Sequence, residues 1–295
     1  MVLLSIIMSR LSMGLFIFPI PVLLAVNGVK DTRKAVLVHL ASTVGVVGTY
    51  VVSNSVLFTQ EYMTVAFLGL VFPLTISLAA LIWTALRDFS NSVLRKLVIC
   101  SIPSALIALC FALWLCSNAS IESVNNMKTA YSMILPQELV GEGSSAIMDL
   151  FFVILKYACV PFAILLQALP ILISEFIIHR GDEEWNFEFA NMKMPYPFVW
   201  VFLALLALSV IVPRINGIPE VVSVVLWNLT FGMALHYILD GISVLFSVLR
   251  RKTLRITPST VVLWVAVSTI IPYLNMFVYG TLLITGVFEN WINLR

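Results

Sequence analysis

Long apolar runs without charge recur along this chain and constrain its fold more than any other feature. Each is comparable in length to the ~20 helical residues that cross a bilayer core of ~30 Å. Hydrophobic residues make up 61% of the 295 residues and charged residues 11%, whereas soluble domains carry about 25% charged residues. A chain of this composition cannot cover a soluble surface. The sequence therefore predicts an all-α, polytopic bundle of transmembrane helices.

Eight runs are long enough to be spanning helices, and only short loops remain between them. They cover roughly residues 4–26, 35–58, 62–86, 97–116, 150–178, 197–212, 218–249 and 259–289. We expect one integral membrane domain over residues 1–295, with N-terminal spans over about 4–116, an outer loop over 117–148 and C-terminal spans over about 150–289. Pro19 and Pro21 interrupt the first run, so that span is broken or partly re-entrant. Apolar residues at helical spacing in the outer loop indicate an amphipathic connector, with a lid over a site as the alternative.

Basic residues predict how the chain is oriented, because lysine and arginine are enriched in cytoplasmic loops. If consecutive loops lie on alternate sides, Lys30, Arg87, Lys96 and Arg250–Lys252 belong to the larger basic set. The smaller set includes Arg295. This bias predicts that the larger set is cytoplasmic and that both termini lie outside.

A polar stripe follows one face of the seventh run. Asn228, Gly232, His236 and Asp240 succeed one another at four-residue steps, and residues four apart lie next to each other on a helix. Ionisable residues inside a span are costly and indicate a functional site by default. Two interpretations stay open, a substrate or proton site and a set of interhelical hydrogen bonds.

Four further polar residues lie in neighbouring runs. Lys156 and Gln167 share a face of the fifth run, and Asn275 and Tyr279 share a face of the eighth. Lys156 either extends to the membrane surface or attracts an anionic substrate group. Together with Asn228, His236 and Asp240, these residues are the candidate substrate-binding set.

Small residues at four-residue spacing allow helices to approach closely. Ala41 and Gly45 follow this pattern in the second run, and Ala108 and Ala112 follow it in the fourth. Packing within the chain is one interpretation, and docking of a partner membrane subunit is the other.

Enzyme and metal-site signatures are absent from the sequence. There is no HExxH, GxSxG or P-loop motif, and no CxxC pair of cysteines. His39, His179 and His236 are far apart along the chain. We therefore expect no catalytic residue, no metal site and no cofactor, and the net charge of +2 gives no indication of nucleic-acid binding. Without a P-loop the chain cannot energise ATP-driven transport by itself.

The last hundred residues carry a family resemblance. The residues concerned are Trp200, Asn228, Gly241, the basic run Arg250–Lys252, Gly286, Glu289 and Arg295. This part of the chain resembles the YybS-like family of bacterial multi-spanning membrane proteins. Asn228, Gly241, Gly286 and Arg295 match that family's pattern, and Glu289 stands where an aspartate is usual.

The resemblance implies two functions for a multi-pass protein of the bacterial cytoplasmic membrane. The YybS-like family is distantly similar to the S components of energy-coupling-factor transporters, although S components usually have six spans. That similarity implies a substrate-binding subunit of a small-molecule uptake system, with a cytoplasmic ATPase module as partner, and it is the leading hypothesis. The family is also similar to MreD-like proteins, which implies a non-transporting scaffold of an envelope or cell-shape complex.

Overall fold

The computed structural model describes residues 2–9, 17–53, 63–89, 92–117, 142–252, 256–268, 270–271, 273–292 and 294–295. Within these residues the chain forms eleven α-helices and no strand. The helices are α1 (Val2–Met8), α2 (Ile20–Asn27), α3 (Thr32–Ser53), α4 (Met63–Ala85), α5 (Val93–Trp114), α6 (Glu142–Ile178), α7 (Glu183–Ala190), α8 (Pro197–Ile211), α9 (Glu220–Lys252), α10 (Pro258–Ser268) and α11 (Leu274–Ile292). A 3₁₀ turn, Val212–Arg214, extends α8.

Five helical segments in the described part of the chain are long and apolar enough to cross a membrane. They are α3, α5, Phe152–Ile178 of α6, Pro197–Arg214 and α9. They correspond to the second, fourth, fifth, sixth and seventh predicted spans, so the all-α membrane fold is confirmed. The third predicted span corresponds to α4, whose segment Pro73–Ala85 is a shorter apolar helix.

The first predicted span contains two short helices. α1 has 7 residues and α2 has 8, and each is too short to cross a bilayer alone. Both pack on α3, and the Ser5 hydroxyl donates a hydrogen bond to the Phe18 carbonyl. Residues 118–141 of the predicted outer loop lie outside the described residues, and residues 142–148 belong to α6. The connector and lid interpretations therefore remain predictions.

The eighth predicted span is wrong as a single helix. α10 ends at Ser268 and α11 begins at Leu274, and Tyr273 between them has a φ of 67°. The sequence places a proline at position 272. Proline lacks an N–H and disfavours helical conformation in the residue before it, so one continuous helix is not expected to cross this point.

One end of the bundle collects the basic residues, and we call it the basic end. It carries Lys30, Arg87, Lys96, Arg250 and Arg251, which line two cavities that both include Phe187 and Asn191. These residues belong to the larger basic set, so their common placement agrees with the loop alternation.

The C-terminus also lies at the basic end. Arg295 and Glu289 line the same cavity as Arg250 and Arg251, so α10 leaves this end of the bundle and α11 returns to it. The loop alternation assigns Arg295 to the side opposite Arg250–Lys252, whereas the structure places Arg295, Arg250 and Arg251 around one cavity. The side of the membrane on which the C-terminus lies stays a prediction.

α9 is the central helix and packs against α5, α6, α8 and α11. Glycines allow the closest approach, between α9 and α11. A Cβ added to Gly241 would overlap the Leu282 carbonyl, and one added to Gly286 would overlap the Tyr237 carbonyl. The two backbones are in direct contact, which only glycine at both positions permits.

Candidate functional site

The polar stripe of α9 faces other parts of the protein along its whole length. Asn228 and Asp240 have no exposed surface, and His236 is 6% exposed. A buried polar group costs free energy unless it has a hydrogen-bond partner. Each of these three side chains has such partners, and those outside α9 lie on four different segments of the chain.

The Asn228 side chain bonds to the backbone of α6 at a point where α6 departs from helical geometry. Ala158 departs from helical geometry (φ −130°, ψ 22°), three residues before Pro161. In a regular helix, the Val160 N–H would donate to the Lys156 carbonyl. Here the Asn228 side-chain oxygen accepts from Val160 N at 2.9 Å, and its Nδ2 donates to the Lys156 carbonyl at 2.8 Å. The Asn228 amide therefore gives a hydrogen bond from α9 to each of these two backbone groups, which lie on either side of the non-helical Ala158.

His236 connects α9 to α5. Its Nδ1 lies 2.9 Å from the Gly232 carbonyl, and because a carbonyl can only accept, Nδ1 carries a proton. In the neutral ring, Nε2 is then the acceptor that faces the Ser101 hydroxyl at 3.3 Å. The hydroxyl donates its single proton to the Val98 carbonyl at 2.7 Å, so its contact with Nε2 is the weaker of the two.

Asp240 is paired with Arg295, and not with His236 as the four-residue spacing suggested. Its Oδ1 forms an ion pair with the Arg295 guanidinium, and its Oδ2 accepts from the Met194 N–H at 3.0 Å. Arg295 also donates to the Ala190 carbonyl at 3.1 Å. The carboxylate thus fixes both the chain after α11 and the segment after α7 to the middle of α9.

Glu289 adds a second buried carboxylate to this cluster. Its Oε2 accepts from the Leu294 N–H at 2.7 Å, and its Oε1 lies 3.2 Å from Arg295 Nε and 3.8 Å from Lys193 Nζ. Lys193 also donates to the Glu289 carbonyl at 3.0 Å. We call Lys193, Asp240, Glu289 and Arg295 the charge cluster.

Gln167 and Lys156 of α6 also have internal partners. Ser104 of α5 donates a hydrogen bond to the buried Gln167 side-chain oxygen. Lys156 forms an ion pair with Glu220 at 2.8 Å, and the same carboxylate oxygen accepts from the Tyr157 hydroxyl at 3.0 Å. Lys156 is therefore neutralised by the first turn of α9.

Asn275 and Tyr279 do not join the stripe of α9. Both are only partly buried, and the Asn275 oxygen accepts from the adjacent Met276 N–H at 2.6 Å. α11 contacts α9 through Gly286 and Leu282, nearer its C-terminal end. The candidate substrate-binding set joined these two residues to the α9 residues on the assumption of one continuous eighth span, whereas the structure has two helices there.

The small-residue positions serve different purposes. Ala108 and Ala112 are buried in a cluster with α6 and α9 residues, so they are not available to a partner subunit. A Cβ on Gly45 would meet the Ile6 side chain of α1 at 2.6 Å, so this glycine packs within the chain. Ala41 is exposed, and of the four it alone stays compatible with docking.

Two cavities open at the basic end, and the sequence did not reveal either. The first has a volume of about 540 Å³ and is bounded by α7, α9 and the charge cluster. The second has a volume of about 800 Å³ and is bounded by α7, the end of α6, the connection between α2 and α3, and the residues from the end of α4 to the start of α5. The only sequence signals for them were the basic loops and the acidic, aromatic α7.

His179 lies on the wall of the second cavity. Its Nε2 is 3.4 Å from Glu175 and its Nδ1 is 3.0 Å from Asp182, and its ring stacks on Trp185 with centroids 4.9 Å apart. The hydrogen bonds to Glu175 and then Asp182 outweigh burial and raise the pKa of His179. The hydrogen bond from His179 lowers the pKa of Asp182. In the described part of the chain, no group of three or more His, Cys, Asp or Glu residues could hold a metal ion.

The comparison with protein families agrees with this architecture. Residues 1–284 match the family described as "Predicted membrane protein (DUF2232)". The chain belongs to this family. The match includes Asn228, His236 and Asp240 of α9, and it ends before Glu289 and Arg295. No curated protein and no solved structure matches the chain.

Proposed function

We propose that this member of the DUF2232 family is a non-transporting membrane scaffold of an envelope or cell-shape complex. The proposal rests on one observation, which is that the polar side chains of the α9 stripe are bonded to other segments of the same protein. Asn228, His236 and Asp240 each bond to another segment of the protein. A binding site needs polar groups that can exchange partners with a ligand, whereas a scaffold needs helices held in one arrangement.

The α7 helix gives the scaffold a surface that protein partners can contact. Its inner face is fixed, because Trp185 and Phe189 are buried and Phe189 packs edge-to-face on Phe246 with centroids 5.6 Å apart. Asp182 caps its first turn by accepting from Glu184 N at 2.9 Å. Its outer face exposes 65% of Phe187 beside Glu184 and Glu188. A large exposed aromatic side chain on a rigid helix is typical of interaction surfaces.

Small-molecule uptake is the second candidate, and the larger cavity is the observation that favours it. Its volume of about 800 Å³ is within the range of ligand sites. Of the residues predicted to bind substrate, none lines this cavity. A substrate-binding subunit would therefore use His179, Trp83 and Glu175 in place of the α9 stripe.

Affinity purification from host membranes in mild detergent tests the proposal. Phe187→Ser removes the exposed aromatic of α7, and Phe89→Ser is the matched control because Phe89 is 58% exposed at the same end. We expect the wild type and the Phe89 variant to retain the same envelope proteins, and the Phe187 variant to lose them. Recovery of an ATPase module with a retained metabolite, and of no envelope protein, would contradict the scaffold and favour uptake.

A further inference from the structure

The cavity beside the charge cluster has a basic lining. Four cationic side chains face it, from Lys193, Arg250, Arg251 and Arg295, and one anionic side chain, from Glu289. Arg295 is also paired with Asp240, and Arg250 with Glu183, from outside the lining. Within the described residues Arg251 makes no ion pair, and it is exposed. Among the described residues the cavity therefore offers one unmatched guanidinium, that of Arg251, beside three cations that are each paired with a carboxylate.

Buried polar atoms at the back of the cavity are incompletely satisfied. Glu289 Oε1 and Arg295 Nε lie 3.2 Å apart, yet neither has a hydrogen-bond partner within the described residues. Unsatisfied buried groups are uncommon in folded proteins. This ion pair at the back of the cavity therefore keeps one donor, Arg295 Nε, and one acceptor, Glu289 Oε1, without a hydrogen bond among the described residues.

Exposed aromatic residues near Glu289 suggest the depth of this cavity relative to a membrane surface. Trp200 and Trp291 are 56% and 44% exposed, and their rings meet edge to face with centroids 6.1 Å apart. Tyr196 and Phe288 extend this exposed group. Tryptophan and tyrosine are enriched at the headgroup level of membranes, and Phe288 and Trp291 flank Glu289 in sequence. The basic run Arg250–Lys252 at the end of α9 also indicates the headgroup level of the membrane.

We propose that this cavity binds a phosphate-bearing anion, presented by the headgroup of an anionic phospholipid. Arg251 and Lys193 supply charge at its mouth, and guanidinium groups suit phosphate oxygens because they offer paired N–H donors. The acyl chains would lie along the exposed aromatic group of α8 and α11. Basic pockets between helices at the membrane surface are a recurrent means of binding anionic lipid headgroups.

Native mass spectrometry of the purified protein in neutral detergent tests this proposal, with phosphatidylglycerol and phosphatidylcholine added in parallel. We expect one phosphatidylglycerol to be retained in preference to phosphatidylcholine. Arg251→Gln should weaken that retention about fivefold, the effect of one basic residue at an anionic surface. Lys252→Gln is the matched control, because Lys252 is exposed and adjacent but does not line the cavity, and it should retain the lipid.

The outcomes separate a lipid headgroup from a soluble anion. Equal retention of the two lipids, or equal loss in both variants, would overturn the proposal. Millimolar inorganic phosphate is added as a competitor in a second series. Displacement by phosphate without any preference between the lipids would overturn the headgroup assignment and assign the cavity to a soluble phosphate.

Discussion

Arg295 forms an ion pair with Asp240, which lies 55 residues earlier in the chain and inside the central helix α9. This contact connects the end of α11 to the middle of α9 and brings it beside the segment that follows α7. It explains why α11 returns to the basic end. Asp240 is the residue of the α9 stripe whose burial as a charged group costs the most free energy, and its carboxylate is bonded within the protein. This favours a scaffold over a ligand site.

We predict that Asn228→Ala destabilises the protein. The substitution leaves the Val160 N–H and the Lys156 carbonyl without their partner at the α6 break. Unfolding in detergent should show a loss of about 1–2 kcal/mol. Asn275→Ala is the matched control, because within the described residues the Asn275 side chain bonds to its neighbour's N–H and to no other helix, and it should change stability by less than about 0.5 kcal/mol. Equal effects would argue against the role of Asn228 in α6.

We predict that alanine at Gly241 or Gly286 disrupts the contact between α9 and α11. Each added methyl group would overlap backbone atoms of the other helix, and such overpacking costs about 1–3 kcal/mol or more. Gly280→Ala is the control on α11, because a Cβ there meets nothing within 4 Å. Alanine favours helix by about 1 kcal/mol over glycine, so this variant should be as stable as the wild type or more so. The thermal unfolding midpoints of the three alanine variants in detergent, compared with that of the wild type, test this prediction.

We predict that Lys252 and Ile292 are accessible from the same side of the membrane. Single cysteines at these exposed positions, in a variant with the native cysteines replaced, should react with an impermeant maleimide from one side of sealed vesicles. A cysteine at Ile215, between α8 and α9, is the control for the other side. Labelling of positions 252 and 292 from opposite sides would restore the single eighth span that the sequence predicted.

We predict that His179 makes stability depend on pH. Its raised pKa means that the folded protein favours the protonated ring, because Glu175 and Asp182 accept its hydrogen bonds. This stabilisation is fully present below the unfolded pKa of about 6.5 and is lost as the pH rises through the higher folded value. Thermal midpoints of the wild type and His179→Gln should therefore differ most at about pH 5.5 and converge in alkaline buffer. A difference that does not vary with pH would contradict this assignment.

The sequence predicted the helices of this fold better than their connections. Runs of apolar residues report helix length directly, and α3, α5 and α9 were found where those runs lie. The eighth run is equally apolar on both sides of position 272, so hydropathy gave no sign that α10 and α11 are separate. The direction of α11 depends on the approach at Gly241 and Gly286, which is a tertiary contact.

The candidate site was only partly predictable. Four-residue spacing correctly placed Asn228, His236 and Asp240 on one buried face of α9. Their partners could not be found from spacing, because Val160, Ser101 and Arg295 are 68, 135 and 55 residues away. The cavities were missed because α7 was visible only as an acidic, aromatic loop.

A double-mutant cycle on Asp240 and Arg295 tests most directly whether the α9 stripe is structural. Asp240→Asn removes one of the two carboxylates that pair with the buried Arg295 and leaves Glu289 as the other, which should cost about 3–5 kcal/mol of unfolding free energy. Adding Arg295→Gln should recover part of that loss, with a coupling of about 1–3 kcal/mol. Additive effects, or an Asp240→Asn variant as stable as the wild type, would contradict the account and return Asp240 to the candidates for ligand binding.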